Sequence, residues 1–199
     1  MLKRNPHRMR GFSLIEFMVA FAAGLIVLGA VIALVLSIIR SNNQTIQTTR
    51  LNQELRATAA VIAADIRRAR GVGDPLAAAK QGNPFATLYL DGVANPANGS
   101  VGQCLSYGYA GASGGGFHVI RLDAGKVSLG QAGTAAGASC ALVGQQLNSS
   151  QVTINNMSFT VSGRQVTVTL TGSLQSGDPG VTAIRRTLSQ TVFIRSVGT

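Results

Sequence analysis

Residues 11–40 read GFSLIEFMVAFAAGLIVLGAVIALVLSIIR, and this stretch determines how the rest of the chain is organised. Within it, residues 17–39 form a run of 23 without one charged side chain. At about 1.5 Å per residue such a helix is about 35 Å long, enough to cross a hydrocarbon core of about 30 Å. Helices buried in soluble proteins are usually shorter and keep a polar face. The run therefore predicts one membrane span.

The charge ahead of the span predicts its orientation. Four basic residues precede it and no acid offsets them: Lys3, Arg4, Arg8 and Arg10. By the positive-inside rule the N-terminus stays in the cytoplasm and the residues after 39 are exported. Without this leader the formal net charge of +10 falls to +6. An excess of that size suits a solvated surface, and weak contact with DNA or anionic surfaces stays open as an alternative.

The junction between the basic and apolar parts is unlike an ordinary secretory signal, which ends in a small-residue cleavage site after a shorter apolar stretch. Residues 11–16 read GFSLIE. Followed by a long apolar helix, this motif resembles the class III signal of type IV pilins and type II secretion pseudopilins. The resemblance implies that a membrane prepilin peptidase cuts between Gly11 and Phe12 and methylates the new N-terminal Phe12. The span then remains attached as an anchor.

Glu16 is the one carboxylate at the edge of the apolar run. Unpaired in lipid it would cost several kcal/mol, so a partner or a proton is expected. The resemblance implies that Glu16 meets the N-terminal ammonium of a neighbouring subunit when the helices pack into a filament. The alternative is a solvated Glu16 at the level of the lipid headgroups.

The helix is predicted to continue beyond the membrane. An apolar stripe with spacings of four and three follows the polar segment 41–49: Leu55, Ala59, Ile62, Ile66 and Ala69. Most charged residues, Asp65 among them, fall off this stripe, which we expect to pack on a globular head. The sequence GVGDP at residues 71–75 is predicted to end the helix.

The remainder is predicted to be mainly antiparallel β-sheet. Residues 117–122 and 126–129 form one expected hairpin, residues 157–161 and 166–170 form another, and residues 187–197 supply a last strand. The Gly- and Asn-rich stretch 83–116 is expected to form long loops. The fold class is thus α+β, a long N-terminal helix packed on an antiparallel sheet, as in pilins. Its parts are leader 1–11, membrane or filament-core helix 12–40, exported half-helix 41–70 and β-rich head 71–199.

The two cysteines, Cys104 and Cys140, both lie in the exported part, where disulfides persist. We expect them to pair, which would stabilise the head by roughly 3 to 4 kcal/mol in the chain-entropy model. Two free buried thiols or a metal site are the alternatives. A metal site is disfavoured because His118 is the only histidine in that part of the chain.

No catalytic constellation is apparent in the sequence. GxSxG, P-loop, HExxH and CxxC patterns are all absent, and His118 lies in an expected strand, where a lone histidine is usually structural. We therefore expect no cofactor, no metal and no enzymatic activity. The chain is expected to be a substrate of processing enzymes.

Beyond the leader, the chain resembles PilW-type minor pilins in residues 52–56 (NQELR), residues 64–69 (ADIRRA) and the terminal Phe193-Ile194-Arg195. This resemblance implies an inner-membrane subunit that primes pilus assembly near the tip with other major and minor pilins, contacting them through its N-terminal helix. Motility, adhesion or DNA uptake would depend on it. A J-type minor pseudopilin of type II secretion is the main alternative, and an anchored periplasmic binding domain that never polymerises is another.

Overall fold

The computed structural model describes residues 13–111, 116–174 and 184–195. The chain divides into two compact units, Met1–Ile46 and Gln47–Thr199. The basic leader, including Gly11 and Phe12, lies outside the described residues.

One helix, α1 (Leu14–Ile66), contains the whole apolar run and the stripe that follows it. It is the one helix in the described ranges that is long and apolar enough to cross a membrane. The helix passes without a break through the polar segment 41–49, where the Thr45 hydroxyl donates to the Ser41 carbonyl at 3.1 Å.

The apolar stripe on the second half of α1 and in the turn that follows it is confirmed as a buried face. Leu55, Ala59, Ile62, Ile66 and Ala69 are each no more than 2% exposed. They join one hydrophobic core with residues of the head, so burial of this face stabilises the helix against the head.

The end of α1 differs from the prediction. The helix stops at Ile66, before the GVGDP cluster, and a tight turn follows in which Arg70 has a φ of 63°. Asp74 instead begins a second helix, α2 (Pro75–Gln81), because its side chain accepts hydrogen bonds from the first free amides of that helix. The GVGDP cluster therefore marks the start of α2, whereas α1 ends five residues before it.

Within the described ranges, ten strands form two antiparallel sheets. They are β1 (Tyr89–Leu90), β2 (Val93–Ala94), β3 (Ser100–Gly102), β4 (Cys104–Tyr109), β5 (Gly116–Asp123), β6 (Lys126–Ala132), β7 (Gln145–Gln146), β8 (Val152–Ser162), β9 (Gln165–Leu174) and β10 (Arg185–Phe193). The first sheet has the order β2-β1-β4-β5-β6-β7 and the second β10-β9-β8-β3. The predicted α+β, pilin-like arrangement is confirmed, with two sheets where one was expected.

Both predicted hairpins are confirmed. In β5–β6 Asp123 faces Lys126, and in β8–β9 Ser162 faces Gln165. Gly125 and Gly163 have positive φ values of 78° and 59° in the two turns, which explains why glycine stands there.

The expectation of long loops over residues 83–116 was wrong. Strands β1 to β4 lie in that stretch, and every residue of β4 is buried. Leu105, Tyr107 and Tyr109 all join the core at alternate positions of β4. Glycine is uncommon inside strands, so Gly108 between the two tyrosines made the segment look like a loop.

Candidate functional site

The segment predicted to mediate assembly lies in the first unit. Glu16 is in the first turn of α1 and exposed, where a negative charge is favourable beside the unpaired amides. No basic side chain of the described residues forms an ion pair with it. The cleavage and methylation positions, Gly11 and Phe12, fall outside those residues.

The apolar part of α1 presents bare hydrophobic side chains within its unit. Leu14 is 78% exposed, Phe17 68% and Ile26 74%. A continuous apolar surface of this kind is unfavourable in water and is normally covered by lipid or by other apolar helices. The first unit is therefore suited to a membrane or to packing among similar helices.

The two cysteines form the expected disulfide. Cys104 in β4 bonds to Cys140, 36 residues later, and both alternatives, free thiols and a metal site, are excluded. Around the bond, the Arg121 guanidinium donates to the Cys140 carbonyl at 2.9 Å and the Ser106 hydroxyl to the Ala138 carbonyl at 2.9 Å. The bond thus fixes the segment after β6 against the first sheet.

A polar cluster is buried where α1 meets the first sheet. The carboxylate of Asp65 accepts hydrogen bonds from the hydroxyls of Tyr107 at 2.5 Å and Tyr109 at 2.7 Å. Nδ1 of His118 lies 3.3 Å from the same carboxylate, and the imidazole stacks on Tyr109 with 4.3 Å between ring centroids. We call Asp65, Tyr107, Tyr109 and His118 the Asp65 cluster.

The topology explains this convergence. Tyr107 and Tyr109 are two residues apart on β4 and so point to the same face, and His118 on β5 is the direct cross-strand neighbour of Tyr107. Asp65 is contributed by the last turn of α1, and its side chain is only 11% exposed. The expectation that Asp65 lies off the buried stripe was therefore incomplete, because its carboxylate turns into the head.

Burial perturbs the titration of the cluster. Desolvation, then the charge of and hydrogen bond to Asp65, raise the pKa of the Tyr107 phenol well above its usual value. Desolvation and the hydrogen bond to Asp65 raise the pKa of Tyr109 to about 12. Desolvation lowers the pKa of His118 despite the opposing effect of Asp65, and Arg68 lowers it further. At neutral pH a neutral imidazole therefore packs against the carboxylate.

Sequence reasoning missed this cluster. It placed His118 in a strand and judged it structural, and the structure puts it there with 7% of its surface exposed. The available signal was the pair of tyrosines at alternate positions of β4, together with an acid at the end of an apolar stripe. The carboxylate's direction could not be read from helix spacing alone.

A basic pocket of about 610 Å³ opens beside the cluster. Its lining includes Arg67 and Arg68 after the end of α1, Tyr109 at the end of β4, and Arg195 after β10. The guanidinium of Arg68 lies 6.0 Å from the centre of the Tyr109 ring. The turn after α1 and the segment after β10 thus bring three arginines to one concave surface, with Tyr109 of the first sheet beside them.

Comparison with known proteins identifies the family of the head. The family described as PpdB, prepilin peptidase-dependent protein B, matches residues 44–194. The chain belongs to this family. No curated protein and no solved structure matches it. The PpdB match begins after the apolar run, so it is independent of the GFSLIE motif and the span. The coarse prediction of a prepilin peptidase-dependent, pilin-like protein is confirmed by the match.

The Asp65 cluster has two potential metal ligands, Asp65 and His118, and the lining of the pocket adds none. Within the described ranges, no group of three or more His, Cys, Asp or Glu side chains could hold a metal ion. In the Asp65 cluster the carboxylate is engaged by two phenols and the imidazole lies within the ring stack, so this PpdB-family head uses these groups to bind its helix to its sheet.

Proposed function

We propose that the protein is a PilW-type minor type IV pilin that takes part in priming and assembling the pilus near its tip. Twitching motility, adhesion or DNA uptake would depend on it. The observation that carries this proposal is the combination, in one chain, of the GFSLIE motif, an apolar helix long enough to span a membrane and a PpdB-family head.

In this proposal the chain first resides in the inner membrane, with a cytoplasmic N-terminus and a periplasmic head. The four basic leader residues favour that orientation. The head carries its disulfide, a bond that persists in the periplasm. After processing, the chain enters the pilus at the cell surface.

The chain acts as a substrate and a building block, not as an enzyme. Cleavage between Gly11 and Phe12 creates an ammonium, which is then methylated, at the start of an apolar helix. Glu16 of one subunit pairs with this ammonium of another, and in low dielectric each charge removes the desolvation penalty of the other. The bare apolar face of α1 packs among the helices of other major and minor pilins, and exposed cations allow weak contact with DNA.

The direct test is the mass of the N-terminal peptide in sheared surface filaments. We expect the chain to be recovered there, beginning at N-methylated Phe12. In a strain without prepilin peptidase the chain should keep residues 1–11 and stay in the membrane. Recovery of the processed chain in membranes but never in filaments would overturn the proposal in favour of an anchored, non-polymerising domain.

A J-type minor pseudopilin is the second candidate, favoured by the Asp65-Ile66-Arg67 sequence at the end of α1. Both candidates are cleaved after Gly11, so processing does not distinguish them. The distinction is whether the pilus or the secretion system needs the chain. Deletion that stops protein secretion and leaves pili intact supports the pseudopilin, whereas loss of pili with normal secretion supports the pilin.

A further inference from the structure

The basic pocket at the end of α1 is a candidate binding site that the proposed function does not use. Three arginines line it, and none pairs with a carboxylate of residues 13–111, 116–174 or 184–195. Like charges gathered in one concavity repel each other, and an anion placed among them removes that repulsion.

The acidic side chain closest in sequence to Arg67 and Arg68 is Asp65. Asp65, in the last turn of α1, is three residues before Arg68, in the turn that follows, and on a helix this spacing allows an acid and a base to pair. Here both Asp65 oxygens accept from tyrosine hydroxyls instead. Asp65 is thus engaged by the tyrosines, and Arg68, which lines the pocket beside the Tyr109 ring, forms no ion pair with it.

The backbone around the pocket is held in place. Arg70 donates its amide to the Gly108 carbonyl at 2.8 Å, and Ala110 donates to the Gly71 carbonyl at 2.7 Å. On the opposite side, the Arg164 guanidinium donates to the Arg195 carbonyl at 2.9 Å. The arginine side chains therefore extend from a fixed framework, which reduces the entropy lost on binding.

We propose that this pocket binds carboxylate side chains of an acidic segment on a different subunit of the same filament. The proposal rests on the proposed function for the identity of the partner. Arginine binds a carboxylate through two parallel hydrogen bonds, which suits a pocket with several guanidinium groups.

A second copy of this chain is a poor source of the acid. The unit Gln47–Thr199 contains five described carboxylates, and each accepts a hydrogen bond within that unit: Glu54, Asp65, Asp74, Asp91 and Asp123. Asp178 lies outside the described residues. Charge complementarity therefore favours a partner of different sequence, which agrees with a subunit that joins a mixed complex.

A single strand of DNA fits the pocket less well than an acidic peptide. Proteins that bind such strands offer exposed aromatic rings for base stacking along a basic track. Tyr109 is only 8% exposed and stacks on His118, so it offers no such platform. Arg185 and Arg186 are on β10 and do not line the pocket, so they do not extend it into a track.

The test uses the full chain in a non-ionic detergent and a short fluorescent peptide in which glutamate alternates with serine. Fluorescence anisotropy should show binding that weakens with added salt and is lost when the glutamates are replaced by glutamine. The triple variant R67Q/R68Q/R195Q should bind the peptide roughly tenfold more weakly.

The matched control is R56Q/R185Q/R186Q, which removes the same charge from exposed positions outside the pocket. It should bind within about twofold of the unchanged chain, because only long-range attraction is reduced. Thermal unfolding of both variants checks the fold. If the pocket triple unfolds, R195Q alone replaces it, with an expected loss of about threefold.

Three outcomes would overturn the proposal: no binding by the unchanged chain, equal losses in both triple variants, or tighter binding of a single-stranded oligonucleotide that depends on the pocket arginines. Peptide binding requires no filament, and recovery of methylated Phe12 in filaments requires no pocket. Failure of this proposal is therefore distinguishable from failure of the proposed function.

Discussion

At the scale of single residues, Asp65 decides how the helix meets the sheet. A buried carboxylate is costly without partners, and here two phenols and one imidazole surround it. Arg68, three residues later, forms no ion pair with this carboxylate. The carboxylate is thus used within the head, where helix and sheet meet.

Replacing Asp65 by asparagine should lower the free energy of unfolding by about 1 to 3 kcal/mol. The amide is nearly isosteric but loses the charge that strengthens two hydrogen bonds, and it turns one acceptor into a donor facing a hydroxyl. Denaturant unfolding of the full chain in detergent measures the change. D74N, at the exposed cap of α2, is the control and should cost less; an equal cost would contradict a special role of Asp65.

Because of His118, we expect the free energy of unfolding to fall on acidification. Its pKa is lowered in the folded head by desolvation, with Asp65 raising it and Arg68 and the stacked Tyr109 also facing the ring. The unfolded chain therefore binds the proton more readily, so the stabilising contribution is present above pH about 6.5 and falls as the pH drops below that value.

The measurement is the free energy of unfolding between about pH 8 and pH 5, a window that contains the ordinary pKa of histidine. In H118Q the slope over this window should be flatter, whatever the change in absolute stability. An unchanged slope in H118Q would show that His118 does not titrate differently in the two states.

At the scale of elements, β4 shows how close packing determines a strand that composition concealed. A Cβ on Gly108 would lie 2.5 Å from Cδ1 of Phe85 and 2.9 Å from Cδ1 of Phe117. Glycine has a low strand propensity, but only a residue without a Cβ leaves room for these two rings against the strand.

Gly108→Ala should therefore destabilise the head by about 1 to 3 kcal/mol through overpacking, although alanine has the better intrinsic propensity. Gly133→Ala is the matched control, because a Cβ there meets no atom within 4 Å. Unfolding in denaturant compares the two. Neutral behaviour at Gly108 would mean that both rings can move aside without cost.

The segment between β6 and β7 depends on the disulfide in a similar way. The double variant C104S/C140S opens a loop of 36-residue separation and should lower the free energy of unfolding by about 3 to 4 kcal/mol. Comparing denaturation of the oxidised chain and of the variant gives the value. Reducing agent should affect the unchanged chain and leave the variant unaffected.

At the scale of the whole molecule, the β-rich head follows a helix whose first half exposes apolar side chains. Removal of Glu16 tests what this helix is for. Glu16→Ala should permit normal cleavage after Gly11 and abolish incorporation into filaments, because the charge that meets the new ammonium is lost. Immunoblots of membranes and sheared filaments report the two steps separately.

Ser13→Ala, three residues before Glu16, is the control, because it changes a neighbouring side chain without removing a charge. It should leave both steps normal. Normal incorporation of Glu16→Ala would contradict the pairing hypothesis and favour the solvated glutamate.

The sequence by itself determined the features that depend on neighbours along the chain. The length of the apolar run, the stripe from Leu55 to Ala69, the two hairpins and the GFSLIE motif were all legible, because periodicity and turn chemistry are local properties. The PpdB match agrees with the coarse class derived from them.

Only the tertiary structure decided the direction of the Asp65 side chain, the burial of β4, the division into two sheets and the meeting of Arg67, Arg68 and Arg195. These features join residues that are 40 to more than 120 positions apart in the chain. Their contacts follow from how the helix and both sheets exclude water together, and no local pattern contains that information.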